Sequence, residues 1–101
     1  MNKTIKSIWI AALRSDKYEQ GQQRLRSLDN KFCCLGVLGD CLNADWQKSF
    51  DCYTINCFTH KPPVEMQDRA GLFNSDVEHL IDMNDGGKTF DEIADWIEKN
   101  L

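Results

Sequence analysis

Apolar positions recur at helical spacing in the first segment of the chain. Residues three and four apart share one face of a helix, and the apolar side chains here keep that spacing: Ile5, Ile8, Trp9, Ala12 and Leu13. Charged residues occupy other positions of the segment. The pattern predicts an amphipathic helix with Thr4 as its N-cap and an end near Ser15 and Asp16.

The pattern changes in the polar segment that follows. Residues 24–33 contain an alternating stretch, a turn-forming pair at Asp29 and Asn30, and a return to apolar residues. This combination predicts a short β-hairpin. Residues 50–58 are rich in aromatic and β-branched side chains, which predicts one or two further short strands.

An apolar helix is predicted between these two β segments, over residues 34–42. Leu35, Leu38 and Leu42 share one face at helical spacing. Gly36 and Gly39 lower the helix propensity, so we expect them to allow the close approach of another backbone or a ligand.

The last third of the chain predicts three helices. The first starts at Pro63, a favourable first helical position, and is ended by Gly71. The second is capped by Asn74 or Ser75 and ends before a turn at residues 84–88. The third begins with a Thr89–Glu92 capping box, and its apolar stripe contains Phe90, Ile93, Ala94 and Ile97.

These elements predict a single domain over residues 1–101, because the chain has the length of one ordinary hydrophobic core. The expected fold class is α+β: a mainly helical small domain with a short β-hairpin or a small antiparallel sheet. The residues expected in the core are Trp9, Leu13, Leu35, Leu38, Leu80, Ile93 and Ile97.

The net charge of −4 disfavours nonspecific binding to nucleic acid, because such binding requires lysine and arginine to neutralise the phosphates. The last helix is acidic and no recognition helix follows it, so we expect no specific DNA binding. No apolar run reaches the ~20 residues of a membrane span, and the charged N-terminus is unlike a signal peptide. With an odd number of cysteines, five, these features predict a cytoplasmic protein with reduced thiols.

Metal binding is the main alternative interpretation of the cysteines. Cys52, Cys57 and His60 have a tolerable spacing for zinc, but a second pair would have to come from the adjacent Cys33 and Cys34, which have no spacer. The segment from Asp82 onward resembles a calcium loop but lacks the glutamate required at its twelfth position. We therefore expect no metal and no cofactor, with at least one of the adjacent cysteines buried in the core.

Polar side chains cluster on and just after the first helix. Seven of them fall within thirteen residues: Arg14, Lys17, Tyr18, Gln20, Gln23, Arg24 and Arg26. One interpretation is a solvated loop. The other is a pocket for an anion or nucleotide, because arginine binds phosphate with two parallel hydrogen bonds and tyrosine stacks on rings. Asn84 and Asp85 are a second choice for polar contacts to such a ligand.

Three blocks of the sequence resemble small uncharacterised proteins of tailed bacteriophages. The first runs from Trp9 to Gly21, the second reads Phe-Cys-Cys-Leu-Gly-Val-Leu-x-Asp over 32–40, and the third contains Asn-Asp-x-Gly-x-Thr-Phe over 84–90. At two positions this chain differs from the usual sequence of that family. Gly39 replaces a cysteine, which argues against an obligatory metal site there, and Met83 replaces a leucine.

The resemblance implies a viral accessory protein acting in the cytoplasm of the host bacterium. Small phage proteins of this kind often counter host defence. We therefore expect a non-enzymatic protein that sequesters a nucleotide-derived signal through Arg14, Lys17, Tyr18, Gln20 and Arg24, with Asn84 and Asp85 as the second choice. The alternative is an inhibitor that binds a host defence protein through an acidic surface containing Asp91, Asp95 and Glu98. An enzyme is disfavoured because no catalytic motif occurs.

The aromatic residues also predict a homo-oligomer. A small domain has limited room for three tryptophans and five phenylalanines, and exposed aromatic patches commonly form interfaces. We expect a two-fold dimer with contributions from Trp46, Phe50, Tyr53 and Phe58, and a ligand pocket shared between the subunits. A monomer with these rings folded inward is the alternative.

Overall fold

The computed structural model describes all residues, 1–101, and contains five helices and five short strands. The helices are α1 (Lys3–Leu13), α2 (Cys34–Cys41), α3 (Val64–Ala70), α4 (Asn74–Asp85) and α5 (Phe90–Asn100). The strands are β1 (Glu19–Gln20), β2 (Arg26–Ser27), β3 (Lys31–Phe32), β4 (Trp46–Lys48) and β5 (Cys52–Ile55). The prediction of a mainly helical α+β domain is confirmed. None of the helices has both the length and the apolar character needed to cross a bilayer.

The helices form the core by packing their apolar stripes together. Helix α1 lies against both α2 and α5, and α2 also packs against α4. All seven residues predicted for the core are buried, so that prediction is confirmed. Trp9 is enclosed completely, and its indole N–H donates to the carbonyl of Cys34 at 2.9 Å, which satisfies its one polar group inside the core.

Helix α2 is buried along almost its whole length, as its apolar sequence predicts. Its N-cap is Cys33, whose Sγ accepts a hydrogen bond from the N–H of Gly36 at 3.3 Å. A Cβ atom at position 36 would lie 1.8 Å from the carbonyl oxygen of Leu25. The close backbone approach expected at this glycine is therefore present, between α2 and the residue that precedes β2.

The five strands form one sheet in the order β1-β3-β2-β5-β4. Strands β2 and β3 form the hairpin predicted within residues 24–33, and β5 lies within the predicted segment 50–58. The sheet is mixed and not wholly antiparallel, because β1 pairs with β3 in parallel. Strands β1 and β4 contain only two and three residues, which is too short for an alternating pattern to reveal them.

Several helix ends differ from their predicted positions. Helix α1 is capped by Asn2 and not by Thr4, since the Asn2 carboxamide accepts from the N–H of Ile5 at 2.9 Å. Pro63 is the N-cap of α3 and not its first residue, although Gly71 ends the helix with the expected positive φ of 74°. Asn74 is the first residue of α4, whose N-cap is Phe73, and the helix continues to Asp85, where a turn was predicted.

The contact between Gly36 and Leu25 predicts a large cost for Gly36→Ala. The new methyl group would collide with the backbone of Leu25, so α2 or β2 would have to move, and we expect a loss of about 3 kcal/mol or more. Gly39→Ala is the matched control on the same helix. Its Cβ would come closest to the terminal methyl group of Ile55, at 2.8 Å, which is the movable end of a side chain and not backbone, so the loss should be clearly smaller. Urea unfolding of both variants measures this difference, and equal losses would contradict it.

Candidate functional site

Asn84 joins three segments of the chain from a fully buried position near the end of α4. Its Oδ1 accepts from the backbone N–H of Cys34 at 3.1 Å, at the start of α2, and from Nε2 of Gln20 at 2.9 Å. Its Nδ2 donates to the carbonyl oxygen of Gly21 at 2.9 Å. Both ends of the carboxamide are therefore used within the protein.

Further hydrogen bonds attach Gln20, at the end of β1, and the loop that follows it to the same end of α4. The Asp85 carboxylate accepts from the backbone N–H of Gln23 at 2.9 Å, and Gln20 donates to the carbonyl oxygen of Lys88 at 2.8 Å. Three of the residues predicted to bind ligand, Gln20, Asn84 and Asp85, are thus brought together. The bonds that unite them are to one another and to backbone groups nearby.

Arg24 lies beside this network at a narrow crevice that it shares with Gln23, Asn84, Asp85 and the N-terminal end of α2. Its guanidinium donates to Nε2 of His60 at 2.9 Å and forms an ion pair with Asp51 at 3.4 Å. A guanidinium has no acceptor, so His60 Nε2 accepts and the ring proton is on Nδ1, facing Thr59 Oγ1 at 2.6 Å. The crevice has a volume of about 10 Å³, close to that of one water molecule.

Arg14 connects the first helix to the last. Its guanidinium forms ion pairs with Asp95 at 2.7 Å and with Glu98 at 3.2 Å. The hydrogen bonds that Arg14 donates to Glu98 and Asp95 raise its pKa. Arg14 therefore neutralises part of the acidic surface of α5, and the contacts of its guanidinium are with α5 and not with Arg24 or Lys17.

Lys17 and Tyr18 line the largest groove of the protein, which has a volume of about 720 Å³. The groove lies between α1 and the C-terminal end of α2. Its other lining residues are Ile8, Ala11, Ala12, Ser15, Asp40, Cys41, Asn43 and Ala44. Ile8 is 50% exposed although it is a large apolar residue, so one wall of the groove is an uncovered part of α1.

Asp40 organises the polar side of this groove. Its two oxygens accept from the Tyr18 hydroxyl at 2.6 Å and from the Trp46 indole N–H at 3.1 Å. Burial and the hydrogen bond to Asp40 raise the pKa of Tyr18 well above its ordinary value of 10.0. The phenol therefore stays protonated and holds its ring in a fixed position beside the groove.

A row of aromatic and cationic side chains crosses the sheet next to the groove. The strand register places Phe32 opposite Arg26, Arg26 opposite Tyr53, and Tyr53 opposite Lys48. The Arg26 guanidinium carbon lies 4.1 Å from the centroid of the Tyr53 ring and 5.2 Å from that of Phe32. These distances are typical of cation–π contacts. We call this row, Phe32–Arg26–Tyr53–Lys48, the cation–π row.

The thiols differ sharply in their surroundings. Cys33 and Cys34 are both buried, which confirms the prediction that at least one of them would be, whereas Cys57 is exposed. Burial raises the pKa of Cys33 from 9.0 to about 11, and it raises that of Cys34 and Cys41 as well. No three His, Cys, Asp or Glu side chains come together in a way that could hold a metal ion.

The structure therefore divides the predicted ligand contacts between separate places. Arg24, Asn84 and Asp85 line the crevice, Lys17 and Tyr18 line the groove, Arg14 pairs with α5, and Gln20 is bonded to α4. Sequence reasoning missed Asp40 and Asn43 in the groove. Asp40 had a visible signal, because it is the one charged residue that closes the apolar run of residues 32–40.

Comparison with known proteins gives one result. A family model described as a domain of unknown function (DUF8296) matches residues 1–55. No curated protein and no solved structure matches the chain. The matched segment extends from α1 to the end of β5 and includes every residue that lines the groove.

The buried position of Asn84 predicts a structural role that can be measured. Asn84→Ala would leave the N–H of Cys34 and the carbonyl of Gly21 without partners, so we expect a loss of about 2–4 kcal/mol in the free energy of unfolding. Asn74→Ala, on the exposed first turn of the same helix, should change it by less than ~0.5 kcal/mol. A small effect of Asn84→Ala in urea unfolding would show that the network is not needed for the fold.

The surroundings of the thiols predict different reactivity. At pH 8 in the native protein, a disulfide reagent should modify Cys57 rapidly and Cys33 and Cys34 only on unfolding, because buried thiols with raised pKa values are not ionised. Cys57→Ser should remove the fast phase. An unfolded thiol ionises near pH 9 and folded Cys33 near 11, so ionisation of this thiol should lower the stability as the pH rises through that window. Rapid native modification of Cys33 would contradict its burial.

Proposed function

We propose that this chain, which belongs to the family of domains of unknown function DUF8296, is a phage accessory protein that captures a nucleotide-derived signal of the host defence without altering it. The groove between α1 and α2 carries the proposal. Its volume of about 720 Å³ falls within the ~300–1,000 Å³ typical of sites for small molecules. The phage origin and the role against defence rest on the sequence resemblance.

The two sides of the groove suit the two parts of a nucleotide. Ile8, Ala11 and Ala12 offer an apolar surface on α1 for a base or another flat ring. Tyr18 stands beside it with its phenol held by Asp40. Aromatic and apolar contacts of this kind contribute to binding by removing ring surface from water.

Lys17 supplies the positive charge that a phosphate requires. It belongs to none of the ion pairs of the protein, whereas Arg14 and Arg24 are both paired with carboxylates. Its ammonium group lies 5.7 Å from the centroid of the Tyr18 ring, so ring and charge are next to each other. Of the predicted contacts, Lys17 and Tyr18 are the two that remain available to a ligand of this size.

Asp40 and Asn43 set the orientation of the ligand. A carboxylate repels phosphate but accepts hydrogen bonds from sugar hydroxyls or an exocyclic amine. The ligand would therefore direct its phosphate toward Lys17 and its sugar or base toward Asp40.

Binding without turnover fits the reactive groups around the groove. No histidine lines it, and its one thiol, Cys41, has its pKa raised by burial and by the neighbouring charge of Asp40. A thiol that stays protonated is a poor nucleophile at neutral pH. The groove thus combines recognition groups with no pair of nucleophile and base.

Calorimetry and native mass spectrometry against cyclic nucleotides and ADP-ribose derivatives test the proposal. We expect one ligand per chain for at least one member of the panel. Lys17→Glu should weaken that complex at least tenfold, about 1.4 kcal/mol, because it places a negative charge beside the phosphate. Ala11→Glu should weaken it similarly by occupying the apolar wall. Lys3→Glu, an exposed site on the first turn of α1, is the control with the same change in net charge and should bind normally.

Two results would contradict this proposal. The first is that no member of the panel binds. The second is binding that Lys17→Glu and Ala11→Glu leave unchanged. Recovery of one host defence protein from a lysate, lost on charge reversal at Asp91 and Asp95, would favour the protein inhibitor instead.

A further inference from the structure

The cation–π row ends at an open edge of the sheet. Strand β4 is the last strand in the order, and its final residue, Lys48, is exposed. Each inner member of the row has neighbours on both sides, so cations and rings alternate from Phe32 to Lys48. Lys48 lies opposite Tyr53 in the register and has no strand on its other side. It belongs to no ion pair, so no carboxylate within the chain takes the other side.

The backbone of β4 also has free groups at this edge, although the N–H of Trp46 is used in a hydrogen bond to the carbonyl oxygen of Ala44 at 3.1 Å. Ser49 N–H donates to the carbonyl oxygen of Cys52 at 2.8 Å, so Ser49 faces β5. Residues of an antiparallel pair alternate between facing the partner strand and facing away from it. Gln47 therefore also faces β5, whereas the N–H of Lys48 and the carbonyl oxygen of Trp46 face outward.

We propose that β4 is a dimer interface in which a second copy of this chain pairs its own β4 antiparallel to the first, with the two-fold axis at Gln47. In this register Lys48 of each copy lies opposite Trp46 of the other. The outward N–H of Lys48 donates to the outward carbonyl of Trp46, and the symmetry forms this hydrogen bond twice. The five-stranded sheets join into one.

The side chains support this register over its neighbours. Trp46 lies on the same face of the sheet as Arg26, whose guanidinium carbon is 5.4 Å from the centroid of its ring. Because the two-fold axis is perpendicular to the sheet, the second copy presents its Trp46 on that same face, next to Lys48. Lys48 then lies opposite an aromatic residue and not opposite a second cation, although the ring of each Trp46 packs inward against Arg26 and Phe32 of its own chain. An axis at Lys48 would instead oppose two like charges, which is destabilising.

The pairing also brings the most exposed aromatic ring toward a neighbour. Phe50 is 98% exposed at the turn that follows β4. The register extends past Lys48 so that position 50 approaches Ala44 of the second copy. Such a short strand buries little area, so we expect a dimer that dissociates on dilution and not an obligate one.

Disulfide trapping tests the register directly, in a Cys57→Ser background that removes the exposed native thiol. The two Gln47 side chains face each other across the axis, with Cβ atoms about 4.5–5.5 Å apart, so Gln47→Cys should form a cross-linked dimer on mild oxidation. Asp45→Cys, at an exposed position, is the matched control. The two residues at position 45 lie four positions apart along the strands, about 14 Å, and should not cross-link.

Light scattering tests the association itself. The wild-type mass should rise from 11.7 kDa toward twice that value as the concentration increases into the high micromolar range. Lys48→Pro should remain at 11.7 kDa with an unchanged circular dichroism spectrum, because it removes only an outward N–H. A wild-type protein that stays monomeric throughout, a folded Lys48→Pro variant that dimerises normally, or equal cross-linking at positions 45 and 47 would overturn the proposal. If Lys48→Pro does not fold, the two cysteine variants decide the question alone.

Discussion

The carboxamide of Asn84 is the junction on which the arrangement of the other parts depends. It bonds at once to the start of α2, to Gln20 at the end of β1 and to the loop that follows β1. Helix α2 lies between α1 and α4 in the core, so fixing its first turn fixes the layer of helices. The same turn begins directly after β3, and the sheet is thereby placed relative to the helices. A buried amide with all its bonds made specifies one geometry, because any displacement would leave a donor or an acceptor unpaired.

The spacing of apolar residues predicted most of the fold, because the residues that share a helix face are the ones that become buried. The stripes of α1, α2 and α5 come from residues three and four apart, and each stripe is buried where the spacing requires. Periodicity does not report where a helix stops once a polar residue is drawn into the core. Asn84 is typical of turns in sequence, yet tertiary hydrogen bonds keep it within α4, so the predicted turn begins two residues later. The two-residue strand β1 exists only because Lys31 and Phe32 lie beside it, which no local pattern records.

The candidate site was harder to predict because the sequence does not show which cations form ion pairs within the protein. Arg14 and Arg24 are ten positions apart in a polar stretch that reads as one cluster. Their charges are taken up by partners from distant parts of the chain, Asp95 and Glu98 in one case and Asp51 in the other. Whether a cation is free to meet a ligand depends on such long-range pairing, and the sequence contains no signal for it. Lys17 is distinguished from them only by the structure.

The packing of α1 against α5 affects when the domain can fold during its synthesis on the ribosome. Trp9, Leu13, Ile93 and Ile97 are all buried, so the first and last helices complete the core that they share. Contacts so distant in sequence form only after a large loop closes. A nascent chain in which α5 is not yet complete therefore exposes the apolar face of α1. We expect the domain to fold in one step only once α5 has emerged from the ribosome, with the apolar face of α1 uncovered until then.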